Sequence, residues 1–210
     1  MGRPRAASYD GKRRAILHRS AKLFAQNGYD RTSMAELAAA CGISKALLYH
    51  YYAGKETLLF DILRLHLQDV LDAVAAVGDG AEPRARLRGL VLALLASYRD
   101  ADDQHKIKIN ERDKLAAARR RELIAMERDI VSVFAAAIAD AVPGIDRDRM
   151  LLKPVTMSLF GMLNWHHMWF RERGGLSRDG YADMAATLLI EGAQALVATP
   201  RNPLARRSAS

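Results

Sequence analysis

Residues 28–55 read GYDRTSMAELAAACGISKALLYHYYAGK, and the fold follows from how this stretch is punctuated. Ser33-Met34-Ala35-Glu36 is a capping box, in which the Ser oxygen takes the N3 amide and Glu36 reaches back to the Ser amide. Leu37, Ala38 and Cys41 then recur at helical spacing on a helix of barely two turns. Cys41-Gly42-Ile43 predicts a tight turn, with Gly42 where a positive φ is needed and Ile43 plugging the core. Ser44 predicts the N-cap of a second short helix, Lys45 to Tyr52. On it, Leu48 and Tyr52 share the inward face. Lys45, Ala46, Leu47, Tyr49, His50 and Tyr51 form the other. Three aromatic-type side chains suit a purely solvated helix poorly, whereas a helix entering a major groove presents such side chains to base edges and phosphates. Tyr hydroxyls and a Lys ammonium serve phosphates, and Ala46 and Leu47 permit close approach and thymine-methyl contact. The pattern predicts a helix-turn-helix, with an all-structural three-helix bundle as the alternative.

Upstream, Ile16, Leu17, Ser20, Ala21, Leu23 and Phe24 mark an amphipathic helix from about Asp10 to Asn27 with a basic outer face, closed by Asn27-Gly28. Residues 1–9 are expected to be a flexible basic arm, whose Arg3 and Arg5 suit a narrow minor groove; a disordered tail is the alternative. Charge is concentrated here. Residues 1–60 hold ten Lys/Arg against four acids and so carry +6 of the net +8. A basic module on a nearly neutral body points to a polyanion partner for the front end, with a basic solvated surface as the plainer reading. With Cys41 as the only cysteine no intrachain disulfide forms, and a reducing cytoplasm is the expected compartment. No secretory signal pattern and no apolar run of membrane-spanning length is visible, so no membrane partner is expected.

The run NGYDRTSMAELAAACGISKALLYHYYAGKETL, residues 27–58, resembles the DNA-binding domain of the TetR family of transcriptional regulators nearly end to end. That resemblance implies an all-α fold: an N-terminal three-helix helix-turn-helix head over residues 10–60, and a C-terminal helical ligand-binding and dimerisation body over 61–198. It further implies a homodimer on a palindromic double-stranded operator, with repression relieved by a small molecule. On the same basis Thr32, Ser33, Tyr49 and Lys55 would hold phosphates, and Lys45, Ala46, Leu47 and His50 would approach bases. Gly54 departs from the Ser or Asp frequent in the family, and Gly is an acceptable N-cap.

The body reads as helices throughout. Lys55 to about Val77 carries Leu58, Leu59, Ile62, Leu63, Val70, Val74 and Val77 at helical spacing and ends at Gly78–Pro83. Further helices are expected at Arg84–Arg99, Asp102–Arg112, Leu115–Val142, Arg149–Phe170 and Arg178–Ala198, before a disordered tail, 199–210. On the last, Tyr181, Met184, Ala185, Leu188, Leu189, Gly192, Ala195 and Leu196 form an apolar stripe with small residues. Two such helix pairs about a twofold axis would build a four-helix dimer interface; burial within one protomer is the alternative.

Residues 160–170, FGMLNWHHMWF, hold both tryptophans, two His, two Met and an Asn. Such mixed polarity suits a cavity wall, although Met and aromatic stripes are more often plain core. The longer run FGMLNWHHMWFRERGGLSRDGYADM resembles regulators of this family that respond to acyl-coenzyme A thioesters, as do His105–Lys108 and Arg121–Arg128. Repressors of phenylacetate-type aromatic degradation, with phenylacetyl-coenzyme A as effector, are the nearest in pattern. A related effector of fatty-acid or sterol catabolism, or a hydrophobic drug, is the alternative. Phe134, Met157, Phe160, Asn164, Trp165 and Met168 are the candidate acyl slot, with Tyr98, Ile107 and Met126 as further wall positions. Arg119 and Arg120 lie in a basic run suited to phosphates, or to a solvated face. An enzyme is disfavoured: the six His show no convincing metal spacing, and no Gly-rich phosphate loop or nucleophile elbow is present. No cofactor is expected.

Overall fold

The computed structural model describes residues 3–98, 104, 107, 111–146, 150–170 and 175–199. Among these residues every regular element is helical: α1 Arg3–Asn27, α2 Met34–Cys41, α3 Lys45–Tyr51, α4 Lys55–Ala75, α5 Pro83–Ser97, α6 Ala117–Ala141, α7 Leu152–Trp169 and α8 Arg178–Ala198, with a 3-10 turn at Arg112–Lys114. The chain divides into two compact units, Met1–Leu71 with Ser97–Arg128, and Asp72–Ala96 with Asp129–Ser210. The first unit therefore extends past residue 60 along α4 and takes in the segment before and at the start of α6.

Within the first unit, α1 buries Ile16, Leu17, Ser20, Ala21 and Phe24, α2 Leu37, Ala38 and Cys41, α3 Leu48, and α4 Leu58, Leu59 and Ile62; α1 packs on α2, and α2 on α3. α1 starts at Arg3, seven residues ahead of the expected Asp10. Arg and Ala are good helix formers, and Pro4 is tolerated in a first turn because its missing N–H has no intrahelical partner there. The side chains of Arg3 and Arg5 lie outside the described residues, as does the tail from 200. Within the second unit, α5 buries Leu87, Leu90, Val91, Leu94 and Leu95; α6 contributes Ile130, Phe134, Ala137 and Ile138; α7 contributes Leu159, Phe160, Leu163 and His166. α8 completes this core with Tyr181, Ala182, Ala185, Ala186, Leu189, Ile190 and Ala193. Each set recurs at three- and four-residue spacing, which aligns one face of a helix. The Asp102–Arg112 helix predicted from sequence falls largely outside the described residues.

A candidate nucleic-acid interface and effector site

The geometry of the head begins at Gly28, whose φ of 84° ends α1 and turns the chain. Thr32 donates from Oγ1 to the Gly28 carbonyl at 2.8 Å, and Arg31 Nε donates to the Asn27 carbonyl at 2.7 Å. Ser33 then starts α2 with the full capping box: its hydroxyl accepts from the Glu36 amide, and the Glu36 carboxylate accepts from the Ser33 amide. Those hydrogen bonds, the backbone one first, hold the Glu36 carboxyl below its ordinary value. α2 ends at Gly42 with φ 67°, where the amides of Gly42 and Ile43 return to the carbonyls of Ala39 and Ala38, a Schellman closure. Ile43 is only half-buried, a partial plug where a full one was expected. Arg19 of α1 adds a 2.8 Å bond to the Cys41 carbonyl, placing a cation on the negative end of α2. Cys41 itself is buried, and burial raises its thiol pKa, which favours the unreactive protonated form.

Ser44 caps α3 by accepting from the Leu47 amide. Leu48 is buried completely, and Tyr52 just beyond α3 is buried beside the Arg13 guanidinium. The remaining face is open: Lys45, Ala46 and His50 are exposed, as are Leu47 (42%) and Tyr49 (46%). Lys45 Nζ lies 5.9 Å from the centre of the Tyr49 ring. α3 has no acid along its length. A short, N-capped helix with a cationic, aromatic and small-residue surface is what a duplex groove accommodates.

Three expected contacts sit differently. Thr32 is 1% exposed with its hydroxyl donated to Gly28, so its side chain closes the turn. Lys55 is half-buried; Nζ donates to the Tyr29 and Asp30 carbonyls at 2.9 and 3.3 Å and lies over the Tyr29 ring. Tyr51 is half-buried and stacks on Tyr9 of α1 with ring centres 5.0 Å apart, so it packs α1 against α3. Sequence spacing alone carried no sign of the Arg19 or Tyr9 partnerships.

The proposed acyl slot divides in two. Phe134 and Phe160 are buried and meet edge to face at 5.1 Å, and Asn164 is half-buried. Met157 (49% exposed), Trp165 (63%) and Met168 (53%) point outward, which removes them from an interior slot. The reason is helical phase: the buried set on α7 is 155, 156, 159, 160, 163 and 166, followed by 170 just beyond it, leaving 157, 161, 165 and 168 exposed. Part of the aromatic richness is core, because buried His166 stacks on Phe170 at 4.1 Å and packs against Tyr181 at 4.6 Å. The Tyr181 hydroxyl donates to the Met162 carbonyl. Arg119 and Arg120 are also engaged, Arg119 with Glu56 at 3.3 Å and Arg120 with Asp113 at 3.5 Å. Of the remaining positions, Ile107 is buried, while Tyr98 and Met126 are half-buried; burial raises the Tyr98 phenol pKa. Two clefts lie in the first unit. One of about 290 Å³ is bounded by Arg14, His18, His66, Asp69 and Gln104; one of about 210 Å³ runs along Gly28, Arg31, Ile107 and Glu111. Ile107 is the one effector candidate that lines either of them. Among the described residues no three His, Cys, Asp or Glu gather as a metal site, and no helix is long and apolar enough to cross a membrane.

The capped turn and the open α3 form a helix-turn-helix of the kind that enters a duplex groove. Comparison with known proteins identifies which kind. Residues 16–62 match the family model described as bacterial regulatory proteins of the tetR family, and residues 80–193 match the tetracyclin repressor-like C-terminal domain. The chain belongs to the TetR family of transcriptional regulators. Among curated relatives, the HTH-type transcriptional repressor KstR2 of Rhodococcus jostii RHA1 is 27% identical over 203 residues, spanning 91% of this chain and 94% of that protein. Among solved structures, a TetR-family regulator from Bordetella parapertussis 12822 superposes with a TM-score of 0.77 at 33% identity, covering 84% of this chain and 93% of that one. AibR in complex with isovaleryl coenzyme A and operator DNA gives 0.71 at 29% identity, covering 85% and 98%.

Proposed function

We propose that this protein is a homodimeric repressor that binds a palindromic operator in the cytoplasm and responds to an acyl-coenzyme A effector. The observation that carries the DNA half is the open face of α3, where Lys45, Ala46, Leu47, Tyr49 and His50 are exposed together around a buried Leu48. In this reading Lys45, Ala46, Leu47 and His50 approach base edges, while Ser33, Ser44 and Tyr49 take phosphates. Arg3 and Arg5 follow the minor groove from the start of α1.

A second copy of the chain is the proposed partner of the outward faces of α7 and α8. Met157, Trp165 and Met168 on α7 and Met184, Leu188, Gly192, Ala195 and Leu196 on α8 are exposed. The predicted α8 stripe thus splits, with Tyr181, Ala185 and Leu189 serving the protomer's own core and the rest left for a partner. Exposed apolar surface favours association, and a twofold repeat of it matches a palindrome.

The effector assignment draws support from the sequence resemblance and from AibR, whose structure holds an acyl-coenzyme A. A sterol-derived thioester, the alternative that the sequence resemblance also admits, is the second reading beside phenylacetyl-coenzyme A. Phe134, Phe160 and Asn164, all of the second unit, remain the proposed acyl contacts. Effector binding would weaken operator binding by preferring the conformation less suited to DNA. A hundredfold preference corresponds to roughly 2.7 kcal/mol of coupling. AibR is described with both ligands bound at once, so reduced affinity rather than strict exclusion is expected here. The test is a gel shift on the gene's own upstream DNA, with phenylacetyl-, isovaleryl- and sterol-derived coenzyme A thioesters titrated in. An unshifted fragment with an intact dimer sinks the DNA reading. A shift that no thioester alters sinks the effector.

A further inference from the structure

The turn between α1 and α2 is held from a distance in sequence. The Tyr29 amide donates to Glu111 Oε1 at 3.2 Å, and Lys114 Nζ pairs with the Asp30 carboxylate. A few residues on, the Ala116 amide donates to Glu56 Oε1 at 2.9 Å, at the first turn of α4. Arg119 completes the set: Nη2 donates to Thr57 Oγ1 at 3.2 Å, Nη1 pairs with Glu56, and the guanidinium lies 5.5 Å from the Phe60 ring centre. All of these groups belong to the first compact unit. Lys55, next to Glu56, bonds the carbonyls of Tyr29 and Asp30, so residues 111–119 grip the same turn both directly and through the start of α4. That turn carries Arg31, Thr32 and Ser33 into α2.

We propose that residues 111–119 form a strap that sets the head's affinity for DNA, with Glu111 as a positioning residue for the 28–33 turn. Lys114 and Arg119 support it by fixing Asp30 and the α4 start. The strap is outside the helix-turn-helix, and it rests on reading the 28–33 turn and α3 as the DNA-facing surface. It also gives Arg119 a role other than holding an effector phosphate.

Charge makes the proposal testable by sign. Glu111 is an acid near a surface that meets a polyanion, so by electrostatics alone its removal strengthens DNA binding. If Glu111 positions the turn, its removal weakens binding instead. The experiment measures operator affinity of the full-length dimer by fluorescence anisotropy, for Glu111→Ala, Glu111→Gln and Lys114→Gln, with helicity and melting temperature checked for each. Glu111→Ala is expected to lose about tenfold. Glu111→Gln, which keeps the acceptor oxygen and sheds the charge, is expected to bind at least as well as the parent. Lys114→Gln is expected to weaken binding without changing the slope of affinity against salt. A slope reduced by about one would make Lys114 a direct phosphate contact and overturn its place in the strap. Equal or tighter binding by Glu111→Ala overturns the proposal. Lys45→Ala on α3 separates the two readings: if it weakens binding while Glu111→Ala does not, the strap alone fails, and if neither weakens it the head assignment falls with the strap.

Discussion

At Gly42 the backbone takes φ 67° with only the Arg19 guanidinium, 3.8 Å away, near the position a Cβ would fill. Gly42→Ala is therefore a conformational substitution rather than a clash, expected to cost about 1–2 kcal/mol and measurable by urea unfolding. Ser33→Ala removes the hydroxyl that accepts from the Glu36 amide and should cost about 1 kcal/mol. Tyr52 gives a prediction in pH. Burial pushes its phenol from 10.0 up to about 12, with the Arg13 guanidinium opposing the shift. The unfolded chain then releases this proton first, so stability is intact below pH 10 and falls as pH rises toward about 12. Ultraviolet titration of tyrosinate against the Tyr52→Phe variant, alongside melts across the same range, checks this. These positions were legible from sequence because caps and turns are local. The bond made by Thr32 was not legible: its hydroxyl, four residues after a helix-ending glycine, closes the turn on the Gly28 carbonyl, and spacing does not say which partner it takes.

At the scale of a helix, α7 shows what periodicity resolves and what composition obscures. The FGMLNWHHMWF run was singled out for its contents, yet phase decides its use. Leu159, Phe160, Leu163 and His166 face the core while Met157, Trp165 and Met168 face out. Two substitutions on this one helix should separate. Phe160→Ala opens a hole beside Phe134 and is expected to cost about 3–5 kcal/mol, whereas Trp165→Ala should leave the stability of the protomer nearly unchanged. On α8, Leu188→Asp puts a charge in the middle of the proposed interface. It should shift the protein from dimer to monomer by sedimentation at micromolar concentration with helicity retained. The α8 stripe was found from sequence but not its division, because both halves are equally apolar and only packing assigns them.

For the molecule as a whole, an all-helical chain with a basic front end was readable from charge and spacing, whereas the reach of residues 111–119 back to the first turn was not. Contacts such as Glu111 to Tyr29 span 82 positions and leave no trace in local pattern. In the proposed dimer, with each of two heads neutralising at least two phosphates, operator affinity should fall about a hundredfold as salt rises from about 50 to about 200 mM. Isothermal titration at several salt concentrations checks the slope. The tryptophans add a practical consequence. The chain has two, Trp165 and Trp169, both on α7 and both open to solvent, while the head has none. Excitation at the indole band is therefore blind to the DNA-reading helices and reports on the second unit. In dilute solution the emission should be red, as for wet indole. It should move to the blue as copies meet across the outward side of α7, so the molecule carries its own optical gauge of assembly.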